Sequence, residues 1–221
     1  MKKLLIFDLD GTLVDSLPDI DRAINQALHE CGYDLSFDYE GSKFLIGNGA
    51  DMLVHRALGV LGKDDPKNFQ ELKAHYMPLY AAYQGDHTKP FPGEKEAMLS
   101  LKAMGYRLAI ATNKPDAMAK AIVEKLYGKS LFDDILGQRD ELPPKPNPVL
   151  VEKILKNEGM SPADALYVGD SLPDIQTAEN AKMEVCLCLW GYGRYEKELL
   201  ARATYLVHDL DEFLALAKKL R

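Results

Sequence analysis

Leu4-Leu5-Ile6-Phe7-Asp8-Leu9-Asp10-Gly11-Thr12-Leu13 opens the chain with an unbroken apolar run that ends on two aspartates. Four apolar residues without polar alternation suit a strand covered on both faces, as in a parallel sheet. Gly11 then lets the backbone leave sharply. Three more such runs follow: Leu108 to Ala111, Ala165 to Val168 and Val185 to Leu189. Helical spacing separates them. Met98, Leu101 and Met104 form one stripe. Leu150, Ile154 and Leu155 form another, with Asn147 and Pro148 read as N-cap and first-turn proline. Strand alternating with helix predicts the α/β class: a doubly wound, parallel-sheet, Rossmann-like core.

Residues 16–86 break the alternation. Leu17, Ile20, Ile24, Ala27, Leu28 and Cys31 make one helical stripe, with Ser16 read as its N-cap and Asp19 as favourable first-turn charge. Leu53, Val54, Ala57 and Leu58 make a second, and Phe69, Leu72, Tyr76, Leu79, Tyr80 and Tyr83 a third. The expected organisation is an α/β core from residues 1–15 and 87–221, carrying a small all-α domain at 16–86. Pro90-Phe91-Pro92-Gly93 is stiff enough to serve as the hinge strand of the return.

Composition narrows the function classes. The 221 residues carry a formal charge of −7, which opposes nucleic-acid backbones and anionic membranes as partners. No apolar run approaches the ~18 residues of a membrane span. Met1-Lys2-Lys3 and the short run after it do not form a signal peptide, so a cytoplasmic location is expected. Cys31, Cys186 and Cys188 lack metal-type spacing and read as small core residues in a reducing compartment.

Four polar clusters follow apolar runs or open helices, and in open α/β sheets ligands bind beyond the carboxyl ends of the strands. Asp8 and Asp10 are spaced to project into one crevice. Two such carboxylates can divide labour, one ionised and one protonated, and a carboxylate is a competent nucleophile for phosphoryl groups. Thr112-Asn113-Lys114 offers a hydroxyl and an amide to phosphate oxygens. Lys145, boxed by prolines in Pro143-Pro144-Lys145-Pro146, offers a fixed ammonium. Gly169-Asp170-Ser171-Leu172-Pro173-Asp174 puts Asp170 at a strand end as a hard ligand for Mg²⁺. Asp174, one helical turn on, is placed to orient Lys145 or a metal-bound water. Each cluster alone also reads as a turn or helix cap; their order and context carry the weight.

Those four motifs resemble the haloacid dehalogenase (HAD) superfamily of phosphotransferases, over nearly the whole chain. The helical insert resembles the cap that one subclass carries after the first motif. Pro92-Gly93, Ala111-Thr112-Asn113-Lys114-Pro115 and Gly191-Tyr192-Gly193 resemble the phosphoglycolate phosphatase-like members. The resemblance implies that Asp8 attacks phosphorus to form an aspartyl-phosphate. Asp10 would protonate the leaving alcohol and then deprotonate the hydrolytic water. Thr112, Asn113 and Lys145 would bind phosphate. Mg²⁺ would be held by Asp8, the Asp10 carbonyl and Asp170, with Asp174 behind them. Asp10 separates the chain from dehalogenases and phosphonate-cleaving relatives. Gly47-Asn48-Gly49-Ala50 lacks the basic residue that β-phosphoglucomutase-like enzymes usually carry there.

The expected function is a Mg²⁺-dependent phosphatase for a small phosphorylated metabolite, best matched by phosphoglycolate, working as a monomer or homodimer. A sugar-phosphate mutase or a pyrophosphatase is the alternative. A non-catalytic binding protein on the same fold is the second alternative. Lys43, Arg56 and Arg194 are further basic candidates near a substrate, and the five histidines show no ligand spacing.

Overall fold

A computed structural model describes residues 1–221. Its main sheet has six strands in the order Asp134–Gln138, Arg107–Pro115, Leu4–Phe7, Ala165–Gly169, Glu184–Cys188, Tyr205–Val207. Every pairing is parallel. The first strand is central: Phe7 sits between Ile110 on one side and Val168 on the other. The chain therefore winds outward in both directions from Leu4–Phe7, and a crevice opens where the order reverses.

The apolar runs are unbroken because both faces are covered. Leu5, Phe7, Leu108, Ile110, Leu166 and Val168 belong to one core. Helices Glu94–Ala103, Asp116–Tyr127 and Leu210–Leu220 contribute Met98, Ile122 and Phe213 to it. Leu4, Ile6, Ala109, Ala165 and Tyr167 belong to the opposite core, which helices Val149–Glu158 and Leu172–Asn180 cover with Ile154 and Ile175. Each such side chain stabilises the fold by roughly 1.5–3 kcal/mol relative to exposure. Cys186 and Cys188 are free and buried, on one face of their strand as their spacing predicts. No helix is long and apolar enough to cross a membrane.

The chain divides into two units, Met1–Asp15 with Pro90–Arg221, and Ser16–Lys89. The second contains helices Leu17–Glu30, Tyr39–Leu45, Gly49–Val60 and Pro66–Tyr83. It reaches Lys89, three residues past the expected boundary, and Asp19 supplies the reason. The Asp19 side chain is fully buried rather than a first-turn surface charge. It accepts from the backbone N–H groups of Gly85, His87 and Thr88 at 2.8, 3.0 and 2.9 Å, and from the Thr88 hydroxyl at 2.6 Å. Burial raises its pKa, but the Thr88 and His87 hydrogen bonds outweigh that and hold it below the usual value. Ser16 precedes the helix but makes no side-chain cap hydrogen bond. Helix Tyr39–Leu45 lies outside the three predicted stripes, because only Ser42 and Leu45 of its seven residues are buried.

Within the core unit, Glu94 is buried beside Tyr127, whose hydroxyl is 2.5 Å from Glu94 Oε2 and 3.2 Å from the Leu13 carbonyl. A phenol has one proton to give. If it goes to Leu13, the carboxyl must donate to Tyr127, which requires the acid form. Burial pushes the Glu94 pKa up to about 8. Glu94 thus binds a proton in the folded protein and loses it in the unfolded chain between pH ~4.5 and 8, so stability falls as pH rises through that window. Glu94→Gln keeps a donor to Tyr127 and cannot ionise. It is expected to match the wild type at pH 4.5 and exceed it by on the order of 3 kcal/mol at pH 8.5 in urea unfolding. An equal difference at both pH values would contradict a protonated Glu94.

Candidate active site

Three strand ends meet at the crevice. The Asp8 backbone N–H still bonds to the Val168 carbonyl at 2.9 Å, so the sheet fixes where its carboxylate starts. Strand Arg107–Pro115 carries Thr112 to Lys114 past its last regular pairing at Ala111, and Gly169 delivers Asp170 from the other neighbour.

Lys145 unites the clusters. Its Nζ lies 2.9 Å from Asp8 Oδ1, 2.7 Å from Asp174 Oδ1 and 3.1 Å from the Tyr167 hydroxyl, with the lysine side chain 2% exposed. Asp8 Oδ1 is buried, with the Lys145 ammonium as its ion-pair partner. Burial lowers the lysine pKa, but Asp174 and Asp8 outweigh it and raise it well above the usual value, keeping the ammonium charged. The loop is held by Asn113, whose Oδ1 accepts from Lys145 N at 2.7 Å and whose Nδ2 donates to Lys145 O at 3.2 Å. The Asn113 side chain is a clamp on the lysine loop.

Asp170 is placed by the opposite wall. Its Oδ1 accepts from Thr12 Oγ1 at 3.0 Å and its Oδ2 from Tyr192 N at 2.8 Å. A Cβ at Gly191 would collide with the Gly11 carbonyl and the Asp170 side chain, and one at Gly193 with the Asp170 carbonyl. The Gly191-Tyr192-Gly193 loop can approach Asp170 only because both glycines lack side chains. Asp174 faces two ways. Its Oδ2 accepts from the Ser171 N–H and hydroxyl at 3.0 and 2.6 Å, while its Oδ1 meets Lys145 and Tyr167. Asp10 turns aside, with both oxygens near Lys114 Nζ at 3.1 and 3.4 Å.

Single ligand oxygens of Asp8, Asp170 and Asp174 lie within 4.8 Å of one another. Asp8 and Asp174 share the ammonium of Lys145 and Asp170 stands beside them, so three carboxylates against one ammonium leave a formal excess of two negative charges. Burial, with help from Asp174, pushes Asp170 up to about 8 and Asp8 up to about 6. The cluster therefore holds protons that a cation would displace. An all-oxygen donor set of buried carboxylates with more formal negative charge than Lys145 offsets fits a hard divalent cation. Asp174 accepts from five protein donors, the Lys145 ammonium, the Tyr167 hydroxyl, the Ser171 N–H and hydroxyl and the Asp170 N–H, against two for Asp170, so Asp174 serves as the support, and Asp8 and Asp170 are the side chains best placed to bind an ion.

Sequence reading passed over three contributors. Tyr167 gave one signal, a phenol in an otherwise aliphatic buried strand whose hydroxyl needs a partner. Lys114 gave none beyond adjacency to Thr112 and Asn113, and Tyr192 donates through its main chain, which no side-chain pattern reveals. Arg56 donates through Nη1 to the carbonyls of Leu45, Ile46 and Gly47 at 2.9, 2.6 and 2.9 Å, fastening the end of a short helix.

A family model described as haloacid dehalogenase-like hydrolase matches residues 5–188. The phosphoglycolate phosphatase of Aliivibrio fischeri is 36% identical over 200 residues, covering 88% of this chain and 87% of that protein. The phosphoglycolate phosphatase of Cereibacter sphaeroides is 38% identical over 192 residues, 85% of each. The crystal structure of a predicted phosphoglycolate phosphatase from Haemophilus somnus superposes with a TM-score of 0.87 at 32% identity, covering 97% of both chains. With its motif residues gathered at one sheet edge and matches of this extent, the chain belongs to the haloacid dehalogenase-like hydrolases.

Proposed function

We propose that this protein is a Mg²⁺-dependent phosphatase that cleaves a small phosphate monoester, phosphoglycolate first among them, through an aspartyl-phosphate on Asp8. The carrying observation is the buried Asp8 carboxylate, 2.9 Å from Lys145 Nζ and clustered with Asp170. The names of the relatives support the substrate.

In this reading Lys145 offsets the repulsion between the Asp8 anion and an arriving phosphate dianion, while Asp174 and Tyr167 hold its Nζ in place. The Thr112 hydroxyl, buried at its strand end, donates to a phosphate oxygen. Asp10 gives a proton to the leaving oxygen and takes one from the water that hydrolyses the intermediate. A Mg²⁺ held by Asp8, Asp170 and the Asp10 carbonyl would add positive charge opposite the phosphoryl oxygens. The helical unit Ser16–Lys89 would take the part of the cap that the family resemblance implies. Arg56 uses its Nη1 on main-chain carbonyls, which favours a structural part for that residue over a second-phosphate site of mutase type.

The test is phosphate release from phosphoglycolate and from p-nitrophenyl phosphate. Release should require Mg²⁺ and cease with EDTA. A mutase would instead need a bisphosphate activator and release little phosphate. Asp10→Asn is expected to lower kcat at least ~10²-fold, the scale of lost general acid–base help. Near-normal turnover in that variant removes Asp10 from its role.

A further inference from the structure

We propose that Lys114 is the specificity-determining cation of this site, pairing with a carboxylate on the leaving group, so that phosphate esters of small α-hydroxy acids are preferred over neutral ones of equal size. The inference rests on the phosphatase reading and adds to it the group that selects the substrate.

The argument starts from the strand. Thr112 and Lys114 are buried while Asn113 between them is not, the alternation expected of an extended segment. Asn113 faces the Lys145 loop. Thr112 and Lys114 take the other side, and Thr112 Oγ1 accepts from Lys114 N at 3.2 Å. One side of this segment therefore offers a hydroxyl for phosphate and, two residues on, an ammonium.

That ammonium is 3.1 and 3.4 Å from the two oxygens of Asp10, with its side chain 2% exposed. Withdrawing an ammonium from water is expensive. The ammonium balances the Asp10 carboxylate, and it stands where a second anion brought beside Asp10 would need a positive charge. Asp10 must come within hydrogen-bond distance of the ester oxygen to protonate it. In an α-hydroxy acid phosphate one carbon separates that oxygen from the carboxylate carbon. The substrate carboxylate must then lie close to Asp10, and once Asp10 has given up its proton two like charges stand there. Lys114 is the cation at that position, and it can bridge both anions by charge-assisted hydrogen bonds.

The test compares kcat/KM for phosphoglycolate and for ethyl phosphate, which has the same length and no carboxylate, in the wild type and in Lys114→Gln. Glutamine keeps a donor toward Asp10 and removes the charge. The wild type should prefer phosphoglycolate, and Lys114→Gln should reduce that preference by ~10- to 100-fold, the worth of one charged hydrogen bond. Free glycolate should also inhibit the variant at least ~10-fold more weakly. Equal losses on both substrates, with the preference intact, overturn the proposal and leave Lys114 a strut for Asp10. A wild type without preference overturns it with no variant needed. A wild type that hydrolyses neither ester, nor p-nitrophenyl phosphate, overturns the phosphatase reading itself.

Discussion

Asp8→Asn is expected to lower kcat for phosphate-ester hydrolysis at least ~10⁴-fold while leaving the fold intact, the scale seen when a covalent nucleophile is removed. The amide fills the same space but cannot form the acyl phosphate. The same substitution should stabilise the cation-free protein. Burial raises the Asp8 pKa to about 6, so the folded state binds a proton that the unfolded chain releases from pH ~3.8 upward. Wild-type stability accordingly falls across that window, and the loss is complete above pH 6. Asparagine removes the ionisation, and Lys145 keeps Asp174 at 2.7 Å as a partner. At pH 7.5 in EDTA the variant should be more stable by on the order of 2 kcal/mol and unfold at a correspondingly higher temperature. Phosphate release and calorimetry check the two halves separately. Turnover within tenfold of wild type would mean that another group attacks phosphorus.

What the sequence made legible divides along a physical line. Leu4 to Phe7, Leu108 to Ala111 and Ala165 to Val168 could be read as covered strands because burial on two faces leaves no polar period. Their polar ends could be read as a site because a parallel sheet brings those ends to one edge. Asp8, Lys145 and Asp170 were found this way, each at a strand terminus or a proline-fixed loop. Partner choice was not legible. Asp19 is a plausible helix-start charge in one dimension, yet the chain returning at Gly85 to Thr88 takes it into the interior. Nothing local to Asn113 reveals that both ends of its amide meet the Lys145 backbone, 32 positions on. The Lys114 link to Asp10 spans 104 positions, and no local rule relates them.

Lys145→Met is expected to damage both halves of the protein's design. Methionine approximates the length of the lysine stem, so the defect is the missing charge rather than a large cavity. Asp8 and Asp174 would lose the ammonium at 2.9 and 2.7 Å, and Tyr167 a contact at 3.1 Å, in a pocket that also contains Asp170. Removing one partner of a buried ion pair typically costs ~3–5 kcal/mol. At pH 8 in EDTA, urea unfolding should show a loss of that order. At pH 5 the loss should shrink, because protons replace the missing cation: Asp8 and Asp170 already stand at about 6 and about 8 with Lys145 present, and removing it raises Asp8 further. Hydrolysis should fall at least ~10³-fold even where the variant is folded, since nothing else from the protein is positioned to offset the charge between Asp8 and the phosphate. Lys145→Arg is not a rescue, because a planar fork does not fit three partners arranged around a point charge. A Lys145→Met protein as stable as wild type at pH 8 without divalent cation would mean that the carboxylates do not depend on Lys145. The charge excess from which a metal site is argued would then be wrong.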